Sequence, residues 1–148
     1  MTLKKPNIGQ YLQVINAIVT ESEKVGEKMN PSYEIIRTAI DEDKLSDLTV
    51  EQLTEIKSQF TSGTEEYRVM ENSLTHLKAP VKVLGIHKKL EKAFQEYVEG
   101  CQEMIDSIDA ENAKVDSEAF DVSEVKQDAA TDGISFCIQR ITQIIMNK

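Results

Sequence analysis

Apolar residues recur at alternating spacings of three and four through the first segment of the chain, which begins near Asn7. Residues at these spacings share one face of an α-helix, so the pattern predicts an amphipathic helix ending at about Asp41. The face consists of Ile8, Tyr11, Ile15, Ile18, Ser22, Val25 and Met29, continued by Tyr33, Ile36 and Ile40. Pro31 either kinks this helix or breaks it into two.

The same spacing predicts a second helix after the polar connection DEDKLSDL. Thr49 and Gln52 fit a capping box at its start, because each side chain can bond the backbone N–H of the other. Its apolar face consists of Val50, Leu53, Ile56, Phe60, Tyr67, Met70, Leu74 and Leu77. The weak helix formers TSGT, at 61 to 64, do not interrupt the phase of this face, which favours one continuous helix.

Pro80 is predicted to open a third helix that ends at about Lys114. Its face consists of Val83, His87, Leu90, Phe94, Tyr97, Cys101, Met104 and Ile108. Asp121, with Glu124 three residues later, is predicted to open the fourth helix. The face of that helix consists of Ile134, Cys137, Ile141 and Ile144.

These elements predict an all-α fold, an elongated antiparallel up-down four-helix bundle, with five helices if Pro31 breaks the first. The chain has 148 residues, the length of one ordinary domain, so residues 1–148 are expected to form a single helical-bundle domain. A sandwich or barrel needs many turns and many aromatic strand residues. The chain has only six glycines, three prolines and 5% aromatic residues, which argues against both folds.

His87 is the one polar residue on the apolar face of the third helix. If the second and third helices reverse direction at about Ala79, Glu71 lies at the same height as His87. A buried histidine needs partners for its ring nitrogens, so the sequence predicts an interior polar layer formed by Glu71 and His87. A layer of this kind fixes helix register and would respond to pH. An exposed His87 at the end of the bundle is the alternative, and a metal or catalytic role is a third.

Cys101 and Cys137 both lie on apolar helix faces, and residue 119, midway between them, falls in the third connection. Their sulfurs are therefore predicted to be neighbours across the bundle. Two buried reduced thiols are the main expectation. A disulfide is the alternative, and it requires Cα atoms within about 7 Å.

Charge is distributed unevenly along the chain. Residues 99 to 132 contain eleven acidic and two basic residues, which accounts for the whole net charge of −9. A basic docking pole is predicted around the start of the third helix, formed by Lys78, Lys82, Lys88, Lys89 and Lys92. Lys4, Lys5, Arg140 and Lys148 are expected at the same end, and Asp41, Glu42, Asp43 and Asp47 at the acidic end. Oppositely charged poles favour docking or end-to-end self-association.

No recognised catalytic or cofactor motif is present. The chain lacks Glu-x-x-His pairs, H-E-x-x-H, C-x-x-C, a P-loop and G-x-G-x-x-G. We therefore expect no enzyme activity, no metal and no cofactor. Nucleic-acid binding is not expected either, because the chain is acidic and its aromatic residues do not alternate with its lysines.

The stretch YRVME, from Tyr67 to Glu71, resembles the Tyr-x-x-x-Asp/Glu signal of small helical-hairpin proteins of the type VII export pathway. The W-x-G turn of those proteins is missing, and FTSG, at 60 to 63, resembles it only loosely. No apolar run has the length of a signal peptide or a membrane span. A cytoplasmic location is therefore expected, with leaderless export as the alternative.

The sequence predicts a non-enzymatic interaction or scaffold module that acts through its charged poles or an exposed groove, with a protein partner or self-association. One alternative is a small-ligand or sensor bundle that uses the interior layer of Glu71 and His87. Another is a leaderless secreted helical bundle. A pocket at the level of Glu71 and His87 with perturbed titration would favour the ligand-binding alternative or an enzyme whose site carries no recognised motif. A solid core with an exposed apolar face would favour the interaction module.

Overall fold

The computed structural model describes residues 7 to 147, and the predictions for Lys4, Lys5 and Lys148 lie outside these residues. Four helices account for most of them: α1 Ile8–Asp41, α2 Val50–His76, α3 Leu84–Asp106 and α4 Ser117–Met146. Consecutive helices run in opposite directions, so the predicted all-α up-down bundle is confirmed.

Helix α1 is continuous through Pro31, so the four-helix form of the prediction is correct. Asn7 caps the helix as expected, because its side chain accepts a hydrogen bond from the backbone N–H of Gln10 at 3.0 Å. Pro31 removes one backbone donor but faces solvent. Val25 and Ile36 are buried on either side of it, and this packing keeps the two halves of the helix in line.

Helix α2 begins with the predicted capping box of Thr49 and Gln52. It is also continuous through TSGT. Gly63 lies beneath Met29 of α1, and a Cβ atom at this position would stand 2.3 Å from the Met29 sulfur. The glycine therefore serves close packing of α1 on α2 rather than a break in the helix.

The predicted end of the third helix is wrong. Helix α3 ends at Asp106, and a short antiparallel hairpin follows, with β1 Ile108–Asp109 paired to β2 Lys114–Val115. Ile108 is buried as predicted, but as part of a strand whose backbone carbonyl accepts a hydrogen bond from Lys57 Nζ at 2.9 Å. Helical spacing alone does not distinguish this burial from one more helical turn.

Helix α4 begins earlier than Asp121. Asp116 is its N-cap, and its carboxylate accepts from the backbone N–H of Ala119 at 3.0 Å. Asp121 and Glu124 are free for another role, because they lie within the helix rather than at its start. Two short 3₁₀ turns, Leu45–Asp47 and Val81–Val83, complete the connections.

The core consists of two apolar clusters stacked along the bundle. One cluster surrounds Leu74, Leu90 and Ile141, and the other surrounds Leu53 and Phe120. Met29 packs against both. Among neighbouring helices, α3 and α4 approach each other most closely, and α1 and α4 least closely. The bundle therefore has one tight seam and one open seam on the two sides of α4.

Candidate functional site

The open seam between α1 and α4 is closed at one end by Arg37. Its guanidinium lies 2.9 Å from Asp121 Oδ1 and 3.1 Å from Glu124 Oε1, both on α4, and 2.9 Å from Asp41 on its own helix. Burial lowers the pKa of Arg37, but the hydrogen bonds to these carboxylates together outweigh it and raise the pKa above its ordinary value. The hydroxyl of Tyr33 also donates to Glu124. The two helices are thus held together at this end by charge-assisted hydrogen bonds.

Beyond this closure, a cleft opens between α1 and α4 and reaches the interior. It has a volume of about 290 Å³. The side chains of Ile15, Ile18 and Val19 line the α1 side, and those of Ile134 and Ile138 line the α4 side. Its floor is formed by α2 and α3, through Tyr67, Leu74, Leu90, Phe94 and Tyr97. The cleft is therefore mainly apolar.

A second cavity of about 150 Å³ continues in the direction of Tyr33. Gly26 and Tyr97 line both cavities. From Ile15 to Tyr33 the two together follow α1 for roughly 27 Å, at 1.5 Å per residue. The space available to a ligand is thus elongated along the helix axis.

Two tyrosines place polar atoms on the floor of the cleft. Tyr97 Oη donates to Tyr67 Oη at 3.4 Å, and Tyr67 Oη donates to the carbonyl oxygen of Ser22 at 3.3 Å. Burial raises the pKa of both hydroxyls above the ordinary value for tyrosine. Both rings are therefore neutral at physiological pH and can act as hydrogen-bond donors or acceptors.

His87 lies just beyond the other end of the cleft and is buried. Its Nε2 is 3.1 Å from the carbonyl oxygen of Leu74, and its Nδ1 is 2.8 Å from the hydroxyl of Tyr11. A carbonyl oxygen only accepts, so Nε2 carries the proton, and in the neutral ring the hydroxyl of Tyr11 donates to Nδ1. Burial, and then the charge of Glu91, raise the pKa of Tyr11 to about 12. The imidazole joins α1 to α3 and satisfies a carbonyl near the end of α2.

The structure does not bring Glu71 and His87 together. Glu91 is the carboxylate near the ring, with Oε1 3.7 Å from Nε2, and Glu71 lies half-buried elsewhere on α2. Leu74 and His87 stand opposite each other, so the chain reverses between Pro80 and Val81 rather than at Ala79. Because the chain reverses later than predicted, the α2 residue at the height of His87 is Leu74 rather than Glu71, three residues or about 4.5 Å further along the helix.

The predicted neighbourhood of Cys101 and Cys137 is also corrected. Both thiols are free and buried, but Cys101 faces Gln127, with its sulfur 3.8 Å from Oε1. Cys137 lies ten residues further along α4, a separation of about 15 Å along the axis. The prediction placed the middle of the third connection at residue 119, whereas the hairpin of residues 108 to 115 ends the connection earlier and changes which residues of α3 and α4 face each other. Burial raises the pKa of Cys101 to about 12 and also raises that of Cys137.

The five lysines of the predicted docking pole are exposed. Lys78 and Lys82 lie in the connection between α2 and α3, and Lys88, Lys89 and Lys92 follow in the first turns of α3. Lys88 lies 3.5 Å from Glu91. These residues, with the start of α1 and the end of α4, form what we call the basic end. The connections 42 to 49 and 107 to 116 form the opposite, acidic end.

Sequence reasoning did not identify the cleft, although its residues carried a signal. Ser22 and Gly26 are spaced by four on α1, and Thr131 and Ser135 have the same spacing on α4. Small side chains at such positions leave room between two helices that larger apolar residues would fill. Ser22 is also the one hydroxyl residue among the aliphatic positions of the apolar face of α1 between Ile15 and Met29.

Comparison of the chain with protein-family models, with curated proteins and with solved structures finds no match. Within residues 7 to 147, no cluster of three or more histidine, cysteine or acidic side chains is arranged to hold a metal ion. None of the helices described combines the length and the hydropathy needed to cross a bilayer.

Proposed function

We propose that the protein is a non-enzymatic binding module that holds a small, elongated, uncharged apolar ligand in the cleft between α1 and α4. The observation that carries the proposal is the cleft itself. It joins a mainly apolar lining to a few convergent hydroxyls, which is the usual composition of small-molecule sites. Apolar cavities of about 150 Å³ already accept a benzene ring, and the larger cavity has about 290 Å³.

The charge of the lining favours an uncharged ligand. Among residues 7 to 147, Glu23 is the acidic residue at the rim of the larger cavity, and no lysine or arginine of this range lines that cavity. A carboxylate on the ligand would meet Glu23 without a basic partner, which is unfavourable in a partly desolvated site. The hydroxyl oxygen of Tyr97 can accept a hydrogen bond from a single ligand hydroxyl, because the protons of Tyr97 and Tyr67 already donate to Tyr67 and to the carbonyl oxygen of Ser22.

We propose a non-enzymatic role because the tyrosines and the cysteine that line the cavities are held in their protonated, unreactive forms. Tyr67 and Tyr97 are held protonated by burial. Cys101 lines the second cavity, but with a pKa of about 12 it is a thiol, not a nucleophilic thiolate, at neutral pH. None of these groups is prepared to exchange a proton or attack a substrate near pH 7.

Titration with N-phenyl-1-naphthylamine, a neutral fluorescent probe, tests the proposal. We expect saturable 1:1 binding, checked by native mass spectrometry, and weaker binding of the anionic 1-anilinonaphthalene-8-sulfonate. Gly26→Phe should weaken binding of the neutral probe at least tenfold, because Gly26 lines both cavities. Gly26→Ala is the matched control, because its Cβ atom would lie 3.7 Å from Tyr67 Oη, an ordinary contact.

A second blocking variant, Ser135→Trp, fills the rim from α4 and does not depend on how well Gly26→Phe folds. Val69→Trp is its control, since Val69 is exposed on α2 away from the cleft. Circular dichroism establishes that each variant is helical. Probe binding that survives both blocking variants in folded protein would contradict the proposal, as would an absence of saturable binding.

A further inference from the structure

Positive charge predominates at the basic end of the bundle, although Glu91 lies 3.5 Å from Lys88. The segments 7–20, 72–90 and 133–147, which meet at this end, contain five basic residues and no aspartate or glutamate. The basic residues are Lys78, Lys82, Lys88, Lys89 and Arg140. Helix stability does not account for them, because lysines near the start of α3 oppose its macrodipole. Binding of a negatively charged partner would account for this concentration of positive charge.

Large apolar side chains are exposed at the same end. Val81 is 87% exposed and Met146 is 70% exposed, and Ile8 and Leu84 are also exposed. They come from α1, from the connection before α3, from the first turn of α3, and from the end of α4. At the acidic end, Val50 in the first turn of α2 is 45% exposed, and the connections 42 to 49 and 107 to 116 expose no large apolar side chain.

We infer that the basic end docks on an anionic lipid surface, with Val81 entering the interface between headgroups and acyl chains while Lys78 and Lys82 contact lipid phosphates. The surface is convex, because it is the tip of an elongated bundle. The two cavities described above lie along its side, and neither is lined by Ile8, Val81, Leu84 or Met146. A lipid interface accepts separate protruding apolar side chains without matching pockets.

The net charge of −9 does not oppose this orientation. Glu91 is the first acidic residue after Val81, about 15 Å further along the axis at 1.5 Å per residue. At physiological ionic strength, charges are screened beyond about 8 Å. A surface that contacts the tip of this end therefore interacts with Lys78 and Lys82 rather than with Glu91, which lies 3.5 Å from Lys88 and partly neutralises it. Each lysine close to an anionic bilayer adds to attraction.

Two other occupants fit less well. A nucleic acid would use aromatic side chains for stacking, and the lysine-bearing segment 77–92 contains no phenylalanine, tyrosine or tryptophan. The acidic end of a second copy would match the charge, but Val50 at the start of α2 is only 45% exposed there, and the connections expose no other large apolar side chain to cover Val81 and Met146. The combination of lysines with protruding apolar groups points to lipid.

Vesicle co-sedimentation of the full chain tests the inference. We expect binding to vesicles containing 30% phosphatidylglycerol, little binding to pure phosphatidylcholine, and loss of binding as salt is raised. The double substitution K78E/K82E should weaken binding at least tenfold. K24E/K28E changes the charge equally, on exposed α1 residues outside the basic end, and should leave binding within about twofold of the unmodified chain.

A second pair of variants examines the apolar contribution. Val81→Ser should weaken vesicle binding roughly threefold or more, whereas Val69→Ser, at a similarly exposed position on α2, should not. Failure to bind anionic vesicles at low salt would overturn the inference, as would equal effects of the two double substitutions. Salt-sensitive self-association that vesicles do not compete with would assign the basic end to a second copy instead.

Discussion

Helix α4 has two seams, and glycine serves opposite purposes in their neighbourhoods. On the α3 side, a Cβ atom at Gly100 would lie 2.8 Å from Gln127 Cγ and 3.4 Å from the backbone of α4, so the missing side chain permits close contact. On the α1 side, a Cβ atom at Gly26 would meet nothing nearer than Tyr67 Oη at 3.7 Å. The same residue type closes one seam and leaves the other open.

The comparison separates stability from binding capacity. A bundle gains stability where backbones approach and side chains interdigitate, as along α3 and α4. The open seam lacks some of these contacts and is bridged at one end by Arg37, whereas the Tyr11–His87 hydrogen bond near its other end ties α1 to α3. An apolar ligand would supply contacts that this seam lacks.

The largest expected effect is at the closed seam. Gly100→Val should lower the free energy of unfolding by about 3 kcal/mol, because its side chain would collide with Gln127 and with the backbone of α4. Urea denaturation followed by circular dichroism measures the change. Gly26→Val is the matched control at the open seam and should change stability by less than about 1 kcal/mol. Equal losses would mean that the two seams do not differ in packing.

The helices were predictable because their periodicity is strong, but the difference between the seams was not. A heptad pattern shows which face of a helix is buried, not how far apart α1 and α4 stand. Ile108 satisfied the helical spacing yet lies in a strand. That hairpin, together with a reversal at Pro80–Val81, shifted the levels on which the Glu71–His87 and Cys101–Cys137 predictions relied. Register across a bundle depends on connections, whose geometry periodicity does not encode.

Cys101 stands where the closed seam meets the second cavity, so its titration reports whether water reaches this cavity. Burial raises its pKa from 9.0 to about 12 in the folded protein. Above pH 9 the unfolded chain loses the thiol proton while the folded chain retains it. The stability that protonation provides is therefore complete below pH 9 and is lost as pH rises towards 12.

By pH 10.5 the loss due to this thiol should reach about 2 kcal/mol. Denaturation at several pH values, compared with the Cys101→Ala variant, isolates it from the other alkaline transitions. The free energies of unfolding of the unmodified chain and of Cys101→Ala should converge as pH rises from 9 to 10.5, because only the unmodified chain carries this thiol. Curves that stay parallel would show that the thiol is hydrated and that the second cavity admits water.

The closure of the open seam at Arg37 should contribute less. Arg37→Ala removes the bridge from α1 to Asp121 and Glu124 and should cost about 1 to 2 kcal/mol, because the guanidinium is largely buried and contacts three carboxylates. Arg68→Ala on α2 is the control. Its side chain is more exposed, so a loss below about 0.5 kcal/mol is expected. A similar loss in the two variants would mean that the seam does not depend on this network.

The smallest effect should have the opposite sign. Gly26→Ala should raise the free energy of unfolding by about 0.5 to 1 kcal/mol, because alanine has the higher helix propensity and its methyl group meets no closer atom than Tyr67 Oη. Gly100→Ala offers the same propensity gain, but its methyl group would lie against Gln127 and should destabilise the bundle. Thermal or urea unfolding of the pair measures the sign directly. If both substitutions stabilised the protein, the α3–α4 seam would have room for a methyl group, and the contrast between the two seams would be lost.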